Sequence, residues 1–286
     1  LLPIMLGGST ISISPDTSLI KFWPVVKKYK INYSSVMSTH INFFNTMNKI
    51  TKHNVKTLFC GGAKLDKKSQ NSFEKKFNIK VFCNYGLTET SSIAATQTNN
   101  AKQNDGSVGI PLFNNLIKIS KSKKNYGEIL IKGENIFKEY LNDKRLTYSK
   151  FNNSWFKTGD LGYFNKKGKL FIKDRIDNMI VVSGENIYPS EIENYIYEFK
   201  SIKFGAVTSI PNHLTQNKII LIYEGNNNIN YKVFYNFIRS KISKFKIPKE
   251  IIHVKKLGIS QIPKAPNKKI LRKKLREKVV KYYLNK

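Results

Sequence analysis

Two apolar runs, "VKTLFC" at residues 55–60 and "IKVFCNYG" at 79–86, each stop at glycine. Between them stands Asp66, whose carboxylate can accept from the free N–H groups of a first helical turn. The spacing of Phe73 and Phe77 then predicts a helix over Lys67–Phe77 with one apolar face. Strand, helix and strand in so short a span predict a βαβ unit, and hence a parallel sheet. Ligand-binding residues belong at the C-terminal ends of such strands, where the glycines fall. From 107 to 173 the pattern shortens to "LIKIS", "GEILIKG" and "GYFNKKGKLFIKD", with "NKKG" as a hairpin turn. Beyond Asp177, "MIVVSG", "IKFGAVTSI", "NKIILIYEG" and "EIIHVKKL" read as strands. A helix opens at Pro189, where a fixed φ and a missing N–H suit the first turn. Another is expected over 231–244, with Val233, Phe234, Phe237 and Ile238 on its apolar side, and a last one ends the chain. The expected fold is therefore an α/β large domain over 1–176, incomplete, with a parallel sheet layer and a β-rich subdomain. A small α+β C-terminal domain over 177–286 follows.

Composition narrows this little. At 286 residues and 40% hydrophobic, the chain can bury one large core or two smaller ones. No apolar run approaches the roughly 20 residues of a membrane span. The leading "LLPIMLGGST" lacks the basic stretch and cleavage site of a signal peptide and is not read as one. A cytoplasmic location is expected. Cys60 and Cys83 each end an apolar run and are expected to be reduced core thiols. The four histidines have no metal-ligand spacing. The formal charge of +31 raises nucleic acid and anionic membranes as partners. Yet of 50 basic residues only Arg145, Arg175, Arg239, Arg272 and Arg276 are arginines, and the lysines run through the whole chain. A nucleic-acid site needs a local patch rich in arginine, so no specific nucleic acid is expected. Peripheral contact with a membrane surface stays open.

Three stretches carry candidate chemistry. "NYGLTETSS" (84–92) ends a buried run and sets an aromatic ring, a hydroxyl and a carboxylate within five residues. Such a set suits a nucleotide and its Mg²⁺, although alone it is more often a plain loop. "FKTGDLG" (156–162) places Asp160 after a tight turn, where one carboxylate can hold both hydroxyls of a ribose or merely close an Asx-turn. "KDRIDNMIVVSGENIYPSEIE" (173–193) crowds Asp174, Arg175, Asp177 and Asn178 between two strands, which marks a boundary or a site.

Taken together, "YGLTE", "TGD", "DRID", "SGENIYPSEIE" and "PKAPNKKILR" resemble the motifs of the adenylate-forming superfamily, in its order. That superfamily includes acyl-CoA synthetases, peptide-synthetase adenylation domains and luciferases. "GGA", "GSVGIP" and "GEILIKG" fill the intervals, so the resemblance runs from Gly61 to Arg272. It implies ATP-dependent activation of a carboxylic acid to an acyl-adenylate, with ATP, Mg²⁺ and CoA as cofactors or co-substrates. By the same resemblance Gly61, Gly62, Ala63, Asn84 and Gly86 border the adenine and acyl pocket, with Tyr85 against the ring. Thr88 touches a phosphate and Glu89 holds Mg²⁺. Asp160 binds the ribose with help from Arg175, Asp177 is the hinge, and Gly184 with Glu185 faces the thiol channel. The register of the family's Pro-Lys-Thr-x-x-Gly-Lys loop assigns the catalytic lysine to Lys269. "SGENIYPSEIE" is closer to acid:CoA ligases than to peptide-synthetase domains, with an acyl- or aryl-carrier protein as the alternative acceptor.

The sequence departs from the pattern in places. Lys268 stands where the family has glycine, and Glu139 where it has another. The Ser/Thr/Gly-rich phosphate loop and the His-containing motif after it are missing. The opening stretch resembles the part of the large domain downstream of them. The expectation is a C-terminal part of such an enzyme, inactive in adenylation by itself. Residues 36–39 and Gly61, Gly62 and Ala63 are candidates for the acyl-pocket wall but do not identify the acid.

Overall fold

The computed structural model describes residues 7–14, 18–47, 52–98, 105–120, 125–265 and 269–285. The chain divides into two units. One comprises Leu1–Lys118, Leu130–Thr158 and Phe164–Ile172. The other comprises Ile119–Ile129, Gly159–Tyr163 and Lys173–Lys286.

In the first unit, strands β1 (Tyr33–Met37), β2 (Thr57–Gly61) and β3 (Lys80–Tyr85) pair in parallel. β4 (Ala95–Thr96) and β5 (Ile110–Pro111) extend the sheet antiparallel, in the order β1-β2-β3-β4-β5. Helices α1 (Phe22–Lys28), α2 (Ser38–Thr46) and α3 (Lys67–Phe77) accompany it. Asp66 caps α3 as the sequence predicts, its carboxylate accepting the Ser69 amide at 2.9 Å. The core joins Phe44, Leu58, Phe73, Phe77 and Val81 around Trp23, which stacks on Phe77 at 5.0 Å between centroids. Trp155, the other tryptophan, carries the Lys118 ammonium over its ring at 3.9 Å. Cys60 and Cys83 are buried free thiols paired in register on β2 and β3. A hydrogen bond with Cys83, with burial adding to it, pushes the Cys60 thiol far up. The segment holding α1, β1 and α2 shows no pattern in the sequence. β1 buries only Val36, and α1 is too short for a helical period, with Pro24 tolerated in its first turn.

A further sheet has the order β10-β9-β7-β6, with β8 beside β9. Its strands are β6 (Asn115–Ile119), β7 (Gly127–Gly133), β8 (Phe151–Asn152), β9 (Trp155–Phe164) and β10 (Leu170–Arg175), with helix α4 (Lys144–Lys150) before β8. "NKKG" closes the β9–β10 hairpin. Asn165 Oδ1 accepts the amides of Lys167 and Lys169 at 2.9 and 3.0 Å.

In the second unit, β11 (Ile180–Val182) and β12 (Glu185–Ile187) form a small hairpin ahead of α5 (Pro189–Ile196). β13 (Ile202–Asn212), β14 (Gln216–Gly225) and β15 (Glu250–His253) form a sheet, with β14 antiparallel to β13 and parallel to β15. Helices α6 (Tyr231–Arg239) and α7 (Arg272–Leu284) complete the unit. The run "IILIY" has no polar alternation because β14 is covered on both faces. Ile219, Leu221 and Tyr223 join Ile192, Phe234 and Ile238, while Ile220 and Ile222 join Leu275 and Val279.

Three expectations need correction here. The helix expected over 231–244 ends at Arg239, where the amides of Lys241 and Ile242 both return to the Ile238 carbonyl. Val233 is 57% exposed, because Phe234 and Ile238 define the buried stripe and Val233 points about 100° away from it. The strand at "EIIHVKKL" stops at His253 and continues as a 3-10 turn, Val254–Leu257. Among the described residues, no helix is long and apolar enough to cross a membrane.

Candidate active site

The first cluster lies at the C-terminal ends of β2 and β3, where a parallel sheet places its ligands. Gly61 ends β2, and a Cβ there would meet the Asn84 carbonyl oxygen only at an ordinary 3.9 Å. Gly62 and Ala63 follow on an exposed turn. Asn84 Oδ1 accepts from the Thr96 hydroxyl at 2.6 Å, and Tyr85 is 8% exposed. Beyond Gly86 the chain forms a 3-10 turn, Thr88–Thr90, closed by Thr90 Oγ1, which accepts the Leu87 amide at 2.9 Å. It then returns so that the Ala94 amide donates to the Tyr85 carbonyl at 2.8 Å. The bare face of Gly86 is turned to this returning strand. A Cβ there would lie 1.7 Å from the Ser92 carbonyl oxygen. The glycine thus serves a close approach of backbone to backbone within the motif.

Thr88 is exposed and Glu89 half-buried. One carboxylate oxygen of Glu89 accepts from the Tyr140 hydroxyl at 2.8 Å, and its carbonyl accepts the Phe137 amide at 2.8 Å. Asn135 adds two more ties to the turn, through the Thr90 carbonyl and the Ser91 hydroxyl, each at 2.8 Å. The sequence does not announce Asn135 and Tyr140 as partners of this turn, because Tyr140 stands 51 residues from Glu89. Among the described residues no group of three or more His, Cys, Asp or Glu side chains is arranged to hold a metal ion. A lone carboxylate steadied at one oxygen nonetheless fits Mg²⁺, which takes one or two protein oxygens beside waters and phosphate oxygens.

The second cluster lies within the second unit. Asp160 on β9 is 6% exposed, and its Oδ1 stands 3.2 Å from Arg175 Nη1 at the end of β10. Arg175 Nη2 lies 3.9 Å from Asp177, whose side chain is largely exposed. Asp174 holds the adjoining chain. Its Oδ1 accepts from the Arg175 amide and the Asn178 side chain, and its Oδ2 from the Ser190 amide in the first turn of α5. The four polar residues crowded in "DRIDN" are thus largely satisfied by one another. Ser183 and Gly184, with φ of 50° and 80°, form the two-residue turn of the β11–β12 hairpin, the type I′ signature, and Glu185 is exposed beside it. Lys269 is exposed on a separate segment before α7, and Lys268 lies outside the described residues.

In "PSEIE", Glu191 is shared by Lys173 at 2.7 Å and Lys246 at 2.6 Å. Burial would raise its carboxyl, but the two ammonium groups outweigh this and hold it below the ordinary glutamate range. A depressed folded value contributes stability above the ordinary glutamate range and loses it as pH falls through the folded value. Glu191→Gln is therefore expected to destabilise at neutral pH and to match the parent protein in acid. Urea midpoints measured between pH 7 and pH 3 check this, and a pH-independent gap would refute it.

Residues 1–141 match the family model described as AMP-binding enzyme. The 2-succinylbenzoate–CoA ligase of Listeria monocytogenes is 32% identical over 260 residues, which is 90% of this chain and 54% of that protein. The 2-succinylbenzoate–CoA ligase of Oceanobacillus iheyensis is 36% identical over 202 residues, 69% of this chain and 41% of that protein. The chain spans about half the length of the curated relatives it matches. Among solved structures, o-succinylbenzoate CoA synthetase from Bacillus subtilis with its acyl-adenylate intermediate superposes with a TM-score of 0.85. Its identity is 24%, over 96% of this chain and 57% of that one. ATP-bound MatB from Rhodopseudomonas palustris gives 0.86 at 21% identity, over 96% and 56%. The fold is that of these ligases, and the expected architecture of an α/β part followed by a smaller C-terminal part holds. With the motifs in order along both units, the chain belongs to the AMP-binding enzyme family.

Proposed function

We propose that the chain is part of an AMP-forming acid:CoA ligase, with its large domain ending near Ile176 and its small domain starting at the hinge Asp177. The whole protein would convert a carboxylic acid and ATP to an acyl-adenylate and pyrophosphate, then transfer the acyl group to the thiol of CoA. The supporting observation is Asp160. It is only 6% exposed, yet it presents a carboxylate steadied by Arg175, an arrangement suited to a ribose diol. Asn84, Tyr85 and the glycines at 61, 62 and 86, with Ala63, would shape the adenine end. Thr88 would donate to a phosphate oxygen, and Glu89, oriented by Tyr140, would hold Mg²⁺. The metal would neutralise charge on the phosphates. Lys269 would set its ammonium beside the acid carboxylate and the α-phosphate, where negative charge gathers during attack. Gly184 and Glu185 would border the thiol path.

The relatives' name makes 2-succinylbenzoate the first acid to test. The protein with its upstream sequence should catalyse ATP–pyrophosphate exchange that depends on this acid, and should form a thioester only when CoA is added. The present chain, which contains no Ser/Thr/Gly-rich phosphate loop, should give no exchange by itself. Exchange without product release by CoA, but with release by a carrier protein, would replace CoA as acceptor. Absence of exchange with any acid in the full-length protein would refute the ligase reading.

A further inference from the structure

The segment that carries Lys269 is held within the second unit by a built stem. Lys264 and Ile270 face each other as an antiparallel bridge. The Ala265 amide donates to the Lys269 carbonyl at 2.8 Å, and the Leu271 amide to the Pro263 carbonyl at 2.9 Å. A separate carboxylate holds each leg. On the ingoing leg, Glu224 of β14 accepts the Ile262 amide at 2.8 Å and pairs with Lys264 at 3.6 Å. The Lys264 ammonium also lies 3.5 Å from the Phe204 ring centroid. On the outgoing leg, Arg272 meets Glu193 of α5 fork to fork, Nη1 to Oε1 and Nη2 to Oε2, each at 2.8 Å. Arg272 Nη1 donates as well to the Val207 carbonyl at 3.1 Å, and Glu193 Oε1 accepts the Val207 amide at 2.7 Å. The Val207 peptide groups therefore lock the pair to β13.

This geometry is costly for stability alone. A buried ion pair contributes little net stability, because desolvation consumes most of the attraction. What a two-pronged pair supplies is orientation, since the planar guanidinium fixes angle as well as distance. Arg272 is three residues beyond Lys269 and is the first residue of α7, so its fork sets where that leg begins. We propose that Glu193 and Arg272 are positioning residues that fix the place of Lys269, with Glu224 anchoring the opposite leg. The inference rests on the role given to Lys269 above. A displacement of about 1 Å at a reacting group costs on the order of 10²-fold in rate, so loosening one of two anchors should cost less than losing the ammonium itself.

The test has two arms. In the full-length protein, Arg272→Ala should lower kcat for adenylate formation by about 30-fold with KM for the acid nearly unchanged. Arg272→Lys, which keeps the charge and loses the fork, should recover part of the loss. Thioester formation from supplied acyl-adenylate should stay within about twofold. Arg276→Ala, exposed on the same helix, should change nothing. A purely structural role would lower both half-reactions together, and that parallel loss would overturn the proposal, as would wild-type adenylation in Arg272→Ala. The second arm uses the present chain and needs no activity. Brief trypsin treatment read by mass spectrometry should show cleavage after Lys269 at least about tenfold faster in Arg272→Ala, and faster in Glu193→Gln, than in the parent or Arg276→Ala. Equal rates overturn the proposal even if the ligase reading holds. If the full-length protein fails to adenylate, the ligase reading fails and the proteolysis arm still decides whether the fork holds Lys269.

Discussion

Lys269→Ala in the full-length protein is expected to slow acyl-adenylate formation by about 10²–10³-fold, the loss typical of one preorganised group facing developing charge. Lys273→Ala and Lys274→Ala, both exposed on the first turn of α7, are expected to stay within about twofold. The contrast is the informative part. All three lysines sit in the same basic stretch, so a general electrostatic attraction for ATP would fall by similar amounts in each variant and would be screened by salt. A located ammonium would not behave this way. Of the three, Lys269 stands beside the bridge of Lys264 and Ile270, its carbonyl accepting the Ala265 amide, whereas the other two project from a helix surface. Pyrophosphate exchange at saturating acid, repeated at two salt concentrations, separates the readings. Equal losses at all three positions would reduce the stretch to a charged surface.

Gly86→Ala is expected to be the most damaging substitution in the "NYGLTE" motif, for reasons of backbone alone. A Cβ at this position would sit 1.7 Å from the Ser92 carbonyl oxygen, 2.7 Å from its carbon and 2.9 Å from Ile93 Cα. No rotamer change relieves contacts with main-chain atoms, so the returning segment must move. That segment is already committed, with Ser91 and Ser92 at φ of 50° and 98° and Ala94 bonded to Tyr85. A cost of about 3 kcal/mol is expected, with the Glu89 turn displaced from Tyr140. Denaturant unfolding of the chain measures the first effect, and adenylation by the full-length protein the second. A substitution neutral in both would show that the close approach between Gly86 and Ser92 is absent in solution.

Much of the fold was legible because it depends on local rules. Asp66 announces α3, Pro189 announces α5, and "NKKG" announces the β9–β10 turn, each through a cap or turn preference acting over a few residues. The parallel pairing of β2 with β3 followed from the same βαβ logic. What stayed hidden depends on distant partners. β1 reads as polar because it buries a single residue, and β12 is too short to show a period. Within the candidate site the same division holds. Glu89, Asp160 with its neighbour Arg175, and Lys269 are legible in motif order, whereas the partners of Glu89 and of the Lys269 segment lie far along the chain. Tyr140 reaches Glu89 across 51 residues, and Arg272 reaches Glu193 across 79. At Gly86 the motif shows a glycine, and only the structure shows the Ser92 carbonyl that its missing side chain admits.

The two tryptophans, Trp23 stacked in its core and Trp155 beneath Lys118, both belong to the first unit. Intrinsic indole emission therefore has no reporter of its own in the second unit, which carries α5, the β13–β14–β15 sheet and the stem of Lys269. A fluorescence melt would weight the first unit, whereas a backbone probe such as far-ultraviolet dichroism would follow both. A separation of the two curves would mark unequal melting of the lysine-bearing unit, observed without any added label.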